Sequence, residues 1–153
     1  MKILITLNKD RNLPGTLEVT GADFGQIACL GRSDGNQASL ANNPTRSPLK
    51  RMGDIPAGRY TARVWQASGR AGTFGPYRRL LLDGIEGDAL TAKLNGRSEL
   101  MIHGGGPSKN GSRGGLRPTF GCVRVTNPGM LQILDALDRA RLTQVEVLVV
   151  EKD

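Results

Sequence analysis

The chain has 153 residues, enough for one domain with a modest core, and is 38% hydrophobic and 23% charged. Only 4% of the residues are aromatic and glycine occurs 21 times, so aliphatic side chains must build the core and turns must be frequent. The formal charge of +7 favours anionic partners, but no basic stripe is interleaved with aromatics, so nucleic acid is not the expected partner.

The opening "KILITL" is rich in β-formers and reads as a first strand. "NLPG" turns the chain, "TLEVTG" alternates like a strand, and "QIACLG" is another short one. Residues 31–54 are polar and punctuated by Pro, Asn and Gly, which predicts a long irregular loop of the kind that often carries function. "RYTARVWQ" is a strand with Tyr60, Ala62 and Val64 on one face. "SGRAGTFGP" reads as a loop, and "YRRLLLDG" and "SELMIHG" as strands. "VRVT" is a short extended segment. "NPGMLQILDALDRARL" is the one good helix, with Asn127 as its cap, Pro128 in its first turn, and Met130, Ile133, Leu134 and Leu137 facing the core. "TQVEVLVV" closes the chain as a strand with Val145, Val147 and Val149 inward. The architecture expected is mostly β, with one or two helices on the sheets.

Several kinds of chemistry can be weighed on these residues. No apolar run approaches the length of a membrane span, so no membrane insertion is expected. "GRSDG", residues 31–35, matches the serine-hydrolase pattern G-x-S-x-G, but no apolar period follows it to make the helix that motif needs. One histidine and two cysteines lack zinc-site spacing, so no metal is expected. Cys29 lies in an apolar run and reads as core; a bridge to Cys122 is arithmetically possible and would remove Cys122 as a nucleophile.

There remains "IHGGGPSKNGSRGGLRPTFGCVRV", residues 102–125. His103 ends one strand and Cys122 begins another, so a returning loop can bring them together. An imidazole beside a thiol can take its proton, and the resulting ion pair lowers the thiol pKa. Gly121 lets the backbone turn sharply before the sulfur, and N–H groups at that turn could hold an oxyanion. A buried cysteine with an unrelated histidine fits the spacing equally well.

The wording of the segment tips that balance, because it resembles the L,D-transpeptidase family, also called the YkuD domain. The family signature is His-Gly, a variable loop, Ser or Thr, usually His or Arg, Gly-Cys, an apolar residue and often Arg or Asn. Here those positions are His103–Gly104, Thr119, Phe120, Gly121–Cys122, Val123 and Arg124. "GDIPAGRYTARV" is similar to a strand opening of the family, and a helix followed by a last strand keeps its order. Phe120 departs from the pattern, standing where a polar residue is usual.

The resemblance implies one catalytic domain over residues 1–153, with a mostly β (α+β) fold. That fold is a YkuD-like β-sandwich of mixed sheets with one main C-terminal helix. It implies peptidoglycan stem peptides as substrate and no cofactor. Cys122 would attack the stem carbonyl and His103 would serve as base, its ring oriented by the Gly104 carbonyl. Gly121, Thr119 and Arg124 would serve the oxyanion and the substrate, or Arg124 would fix the loop by a salt bridge. An amine acceptor would complete transpeptidation, and water would give an L,D-carboxypeptidase. Action would be in the periplasm or cell envelope. No secretory leader is visible in the opening "MKILITLNKDRN", whose short apolar stretch runs straight into "NKDRN", so leaderless export, delivery as an effector, or a trimmed chain is expected. Two other readings stay open: a wall-peptide binder without turnover, suggested by Phe120, and a basic nucleic-acid-associated protein.

Overall fold

Ile3, Ile5 and Leu7 alternate with partly exposed neighbours and form strand β1 (Lys2–Asn8), their side chains buried. The computed structural model describes residues 1–66, 70–105 and 116–152. After β1 come β2 (Gly15–Val19), β3 (Ile27–Cys29), α1 (Gly35–Leu40), β4 (Gly58–Trp65), α2 (Ala71–Phe74), β5 (Arg79–Glu86) and α3 (Asp88–Leu94). Then follow β6 (Met101–His103), β7 (Val123–Arg124), α4 (Asn127–Arg139) and β8 (Gln144–Lys152). Most of the glycine-rich stretch between His103 and Cys122, namely 106–115, lies outside the described residues.

The eight strands form one mixed sheet in the order β3-β2-β1-β8-β4-β5-β6-β7. β1 pairs in parallel with β8, and β6 with β7; the other neighbours are antiparallel. The two edges meet. Leu30, just past β3, exchanges backbone hydrogen bonds of 2.9 and 3.0 Å with Arg124 of β7, so the sheet curls nearly into a barrel. This is the mostly β, mixed-direction architecture with one main C-terminal helix that the sequence leads to expect. Met130, Ile133, Leu134 and Leu137 of α4 join the inward residues of β1, β2, β4 and β8 in one buried cluster.

Three short helices depart from the expectation of loops. α1 breaks the irregular loop expected over 31–54. It has no apolar period because Ala38 is its one buried residue, and it starts where Asp34 accepts a hydrogen bond from the Gln37 N–H at 3.0 Å. α2 lies in the segment read as the loop "SGRAGTFGP". α3 buries only Ala89 and Ala92, and Asp88 and Lys93 at its two ends suit the helix dipole. Faces this narrow leave little periodicity to read. The cap of α4 is also corrected: the Thr126 hydroxyl accepts from the Gly129 N–H at 3.0 Å, and Asn127 is the first helical residue.

Candidate active site

The parallel register of β6 and β7 sets Ile102 against Val123 and His103 against Arg124. Cys122 lies one step earlier, beside Met101. Side chains alternate along a strand, and paired residues point to the same face. Met101, His103, Cys122 and Arg124 therefore share one face, and all four line a cleft of about 890 Å³. The register thus brings His103 of β6 and Cys122, just before β7, to one wall as diagonal neighbours. Cys29 is elsewhere, fully buried in the core, and both cysteines are free thiols.

His103 is buried, and its ring is fixed on two sides. Nδ1 lies 2.6 Å from the Gly104 carbonyl oxygen. A carbonyl only accepts, so Nδ1 carries the proton and Nε2 keeps its lone pair. Phe74 of α2 meets the ring edge-on, with centroids 4.9 Å apart. Burial pushes the His103 pKa down to about 4; the Gly104 hydrogen bond opposes this, and the charges of Arg124, Arg79 and Arg117 add to it. Arg79 in turn stacks on Phe74, its guanidinium carbon 3.9 Å from the ring centroid.

The turn that carries Cys122 is tied from both ends. The Thr119 hydroxyl donates to the Cys122 carbonyl at 2.9 Å and accepts from the Gly121 N–H at 3.0 Å. Thr119 therefore shapes the turn, and the Gly121 amide expected for the oxyanion is engaged by it. Gly121 has φ of 122°, and a Cβ there would lie 2.2 Å from Arg97 Nη2 and 2.9 Å from the Gly53 oxygen. Arg97 sits beneath, donating to the carbonyls of Pro48, Gly53 and Asp54.

Cys122 Sγ donates to the Glu99 carbonyl at 3.7 Å. Burial pushes the thiol up to about 11, against a backbone hydrogen bond at Met101 and the charges of Arg124 and Arg97; Glu99 pushes it further up. Both shifts favour a thiol beside a neutral imidazole in the resting pair. This corrects the expectation of an ion pair with a lowered thiol pKa: desolvation at this site outweighs the nearby positive charge.

Arg124 is buried and fixes the loops, among the described residues through backbone carbonyls rather than a salt bridge. Its Nη1 donates to the Thr73 and Gly104 carbonyls, each at 2.9 Å, and Nε donates to the Arg117 carbonyl at 2.9 Å. The Gly104 carbonyl therefore receives both the imidazole and the guanidinium. A Cβ on Gly105, whose φ is 136°, would collide with Arg124 Nη1 at 1.7 Å. Asn127 Oδ1 accepts from the Gly105 N–H at 2.9 Å and holds the same turn.

Phe120 is 59% exposed at the cleft. Ser33 is fully buried, its N–H donating to Asp54 Oδ1 at 2.8 Å, so although a helix does follow "GRSDG" this serine is a structural pin. Sequence reasoning missed Phe74, Arg97, Asn127 and Glu99. A Thr-Asn-Pro string offers two candidate caps, and only the close Gly105 amide decides which one is used. An arginine in "NGRSEL" looks like any solvated turn residue.

No family model matches the sequence, and no curated relative does. Solved structures match the fold. Bd1075 of Bdellovibrio bacteriovorus superposes with a TM-score of 0.52 at 15% identity, over 96% of this chain and 47% of that one. Pgp2, the helical cell shape determining protein of Campylobacter jejuni, gives 0.51 at 20% identity, over 99% and 48%. L,D-transpeptidase 1 of Mycobacterium tuberculosis superposes more loosely, at 0.43 and 10% identity, over 97% and 62%. The chain has the fold of Bd1075 and Pgp2. It spans about half the length of those two proteins.

Proposed function

We propose that this chain is a cysteine acyl-transfer enzyme acting on peptidoglycan stem peptides in the periplasm or cell envelope. The observation that carries the reading is the β6–β7 register. It sets His103, with its proton on Nδ1 and the lone pair on Nε2, on the same cleft wall as Cys122. A neutral thiol and a neutral imidazole suit general-base catalysis, in which the proton moves as the carbonyl is attacked.

In this reading Nε2 takes the thiol proton while sulfur attacks the carbonyl before the terminal D-alanine. The tetrahedral oxyanion is met by the Cys122 N–H. The imidazolium then gives its proton to the departing amine, the C–N bond breaks, and a thioester remains. Acyl transfer to an amine is transpeptidation; transfer to water is carboxypeptidation. The Gly104 carbonyl, held by Arg124, keeps the imidazole in the tautomer the reaction needs. The stem's carboxylates suit a cleft lined by Arg51, Arg70, Arg97, Arg117 and Arg124.

Tetrapeptide-stem muropeptides incubated with the protein and followed by mass spectrometry test the proposal. The expected result is loss of D-alanine by the wild type and not by His103→Ala. Intact substrate after prolonged incubation with folded wild-type protein would count against any turnover and favour a peptide binder.

A further inference from the structure

Within the arginine-rich cleft the described residues place two carboxylates, Asp34 and Glu99. Asp34 is committed to capping α1. The Glu99 side chain is exposed and, among the described residues, enters no hydrogen bond or ion pair. Its backbone is held at φ of 60°, the left-handed region that side chains disfavour. In that conformation its carbonyl accepts the Cys122 thiol, so the residue is anchored beside the sulfur.

A negative charge there works against the first half of the reaction, since it disfavours thiolate. Once the thioester has formed, the sulfur is no longer ionisable and that cost disappears. What the carboxylate then offers is attraction for a cation beside the sulfur, in a cleft whose arginines repel one. We infer that Glu99 binds the ammonium group of the acceptor and steers the acyl-enzyme toward amine transfer rather than hydrolysis. The inference rests on the acyl-transfer reading above.

The second half-reaction then balances as follows. One proton leaves the acceptor ammonium for bulk water by way of the Glu99 carboxylate. The neutral nitrogen attacks the thioester carbonyl; a C–N bond forms and the C–S bond breaks. The second amine proton passes through His103 Nε2 to the departing Cys122 sulfur.

The test measures how one acyl-enzyme partitions. Wild type and Glu99→Gln are given a tetrapeptide-stem donor with either of two acceptors. One is a tripeptide-stem muropeptide, whose side-chain amine is an ammonium at neutral pH; the other is hydroxylamine, which is uncharged there. Glu99→Gln is expected to lower the ratio of amine transfer to hydrolysis by about two- to fivefold for the ammonium acceptor. The hydroxylamine ratio should hold, and Glu99→Asp should recover part of the loss. Equal change with both acceptors, or change with neither, overturns the inference while D-alanine release shows that the acyl-transfer reading stands. If the wild type releases no D-alanine, that reading falls and the inference falls with it.

Discussion

Strand β8 runs nine residues and pairs along its length with β1 and β4, whereas β6 runs three residues and β7 two. The middle of the sheet is held by long ladders and by alternating Ile, Leu and Val. The seam, where β3, β6 and β7 close the curl, is held by side chains reaching backbone groups: Arg124 on three carbonyls, Arg97 on three, Thr119 and Asn127 on the turns. The difference separates stability from chemistry. A ladder tolerates change at any one side chain, but a turn held by a single hydrogen bond moves when that bond is lost. Both cysteines lie near the seam, but Cys29 packs into the apolar core while Cys122 lines the cleft, which makes the contrast testable.

The largest effect is expected at the seam. Cys122→Ala should abolish D-alanine release, on the order of 10⁴-fold or more, while shifting unfolding free energy by less than about 1 kcal/mol. Cys29→Ala should do the reverse, leaving turnover near wild type and costing about 1–2 kcal/mol in a denaturant melt. If the Cys29 variant is the inactive one, the contrast is broken.

Arg124→Lys should come next. An ammonium cannot span three carbonyls that a planar guanidinium reaches. Stability should fall by about 2–3 kcal/mol, and turnover should fall because the Gly104 carbonyl no longer holds the imidazole. Asn127→Ala removes the Gly105 partner alone, and about 1 kcal/mol is expected with a smaller loss of rate. If Asn127→Ala destabilised as much as Arg124→Lys, it would show that α4 docking, not the turn, sets the effect.

The pH dependence sharpens the picture without mutation. The folded His103 pKa, near 4, lies below its usual value, so the unfolded chain binds the extra proton first as pH falls. Stability tied to this histidine is full above the usual imidazole value of about 6.5 and is lost progressively as pH falls toward 4. Turnover of the folded enzyme should stay flat through neutrality and decline only as pH falls through about 4, where Nε2 becomes protonated. With its thiol pushed up to about 11, Cys122 should react slowly with iodoacetamide at neutral pH and faster as pH rises toward that value. Rapid labelling at pH 6 would mean an ion pair in the resting site. The smallest effect is expected for Phe120→Asn, an exposed ring at the cleft, which should change KM a few-fold and leave the melt unmoved.

The middle of the sheet was legible because its physics is periodic. Tyr60 and Ala62, or Val145, Val147 and Val149, show their buried face by alternation alone. His103 and Cys122 were legible through the wording around them, and the register that unites them follows from two short strands no window could have paired. Arg124 was visible as a residue that could fix the loop, but its partners were not, since they are carbonyls of segments distant in sequence rather than a carboxylate. Arg97, Asn127 and Glu99 stayed hidden for the same reason: a polar side chain in a turn looks alike whether it faces water or a backbone group. The thiol pKa was misread because burial, which no motif encodes, exceeds the pull of the arginines.

The central claim is covalent, and the acyl-enzyme itself is its most direct test. The protein would be mixed with a tetrapeptide-stem muropeptide, quenched in acid within seconds and weighed intact, with peptide mapping to place the adduct. The expected result is a mass gain equal to the muropeptide less D-alanine, located on Cys122 and absent in Cys122→Ala. D-alanine release by Cys122→Ala, or an adduct on any other residue, would contradict it.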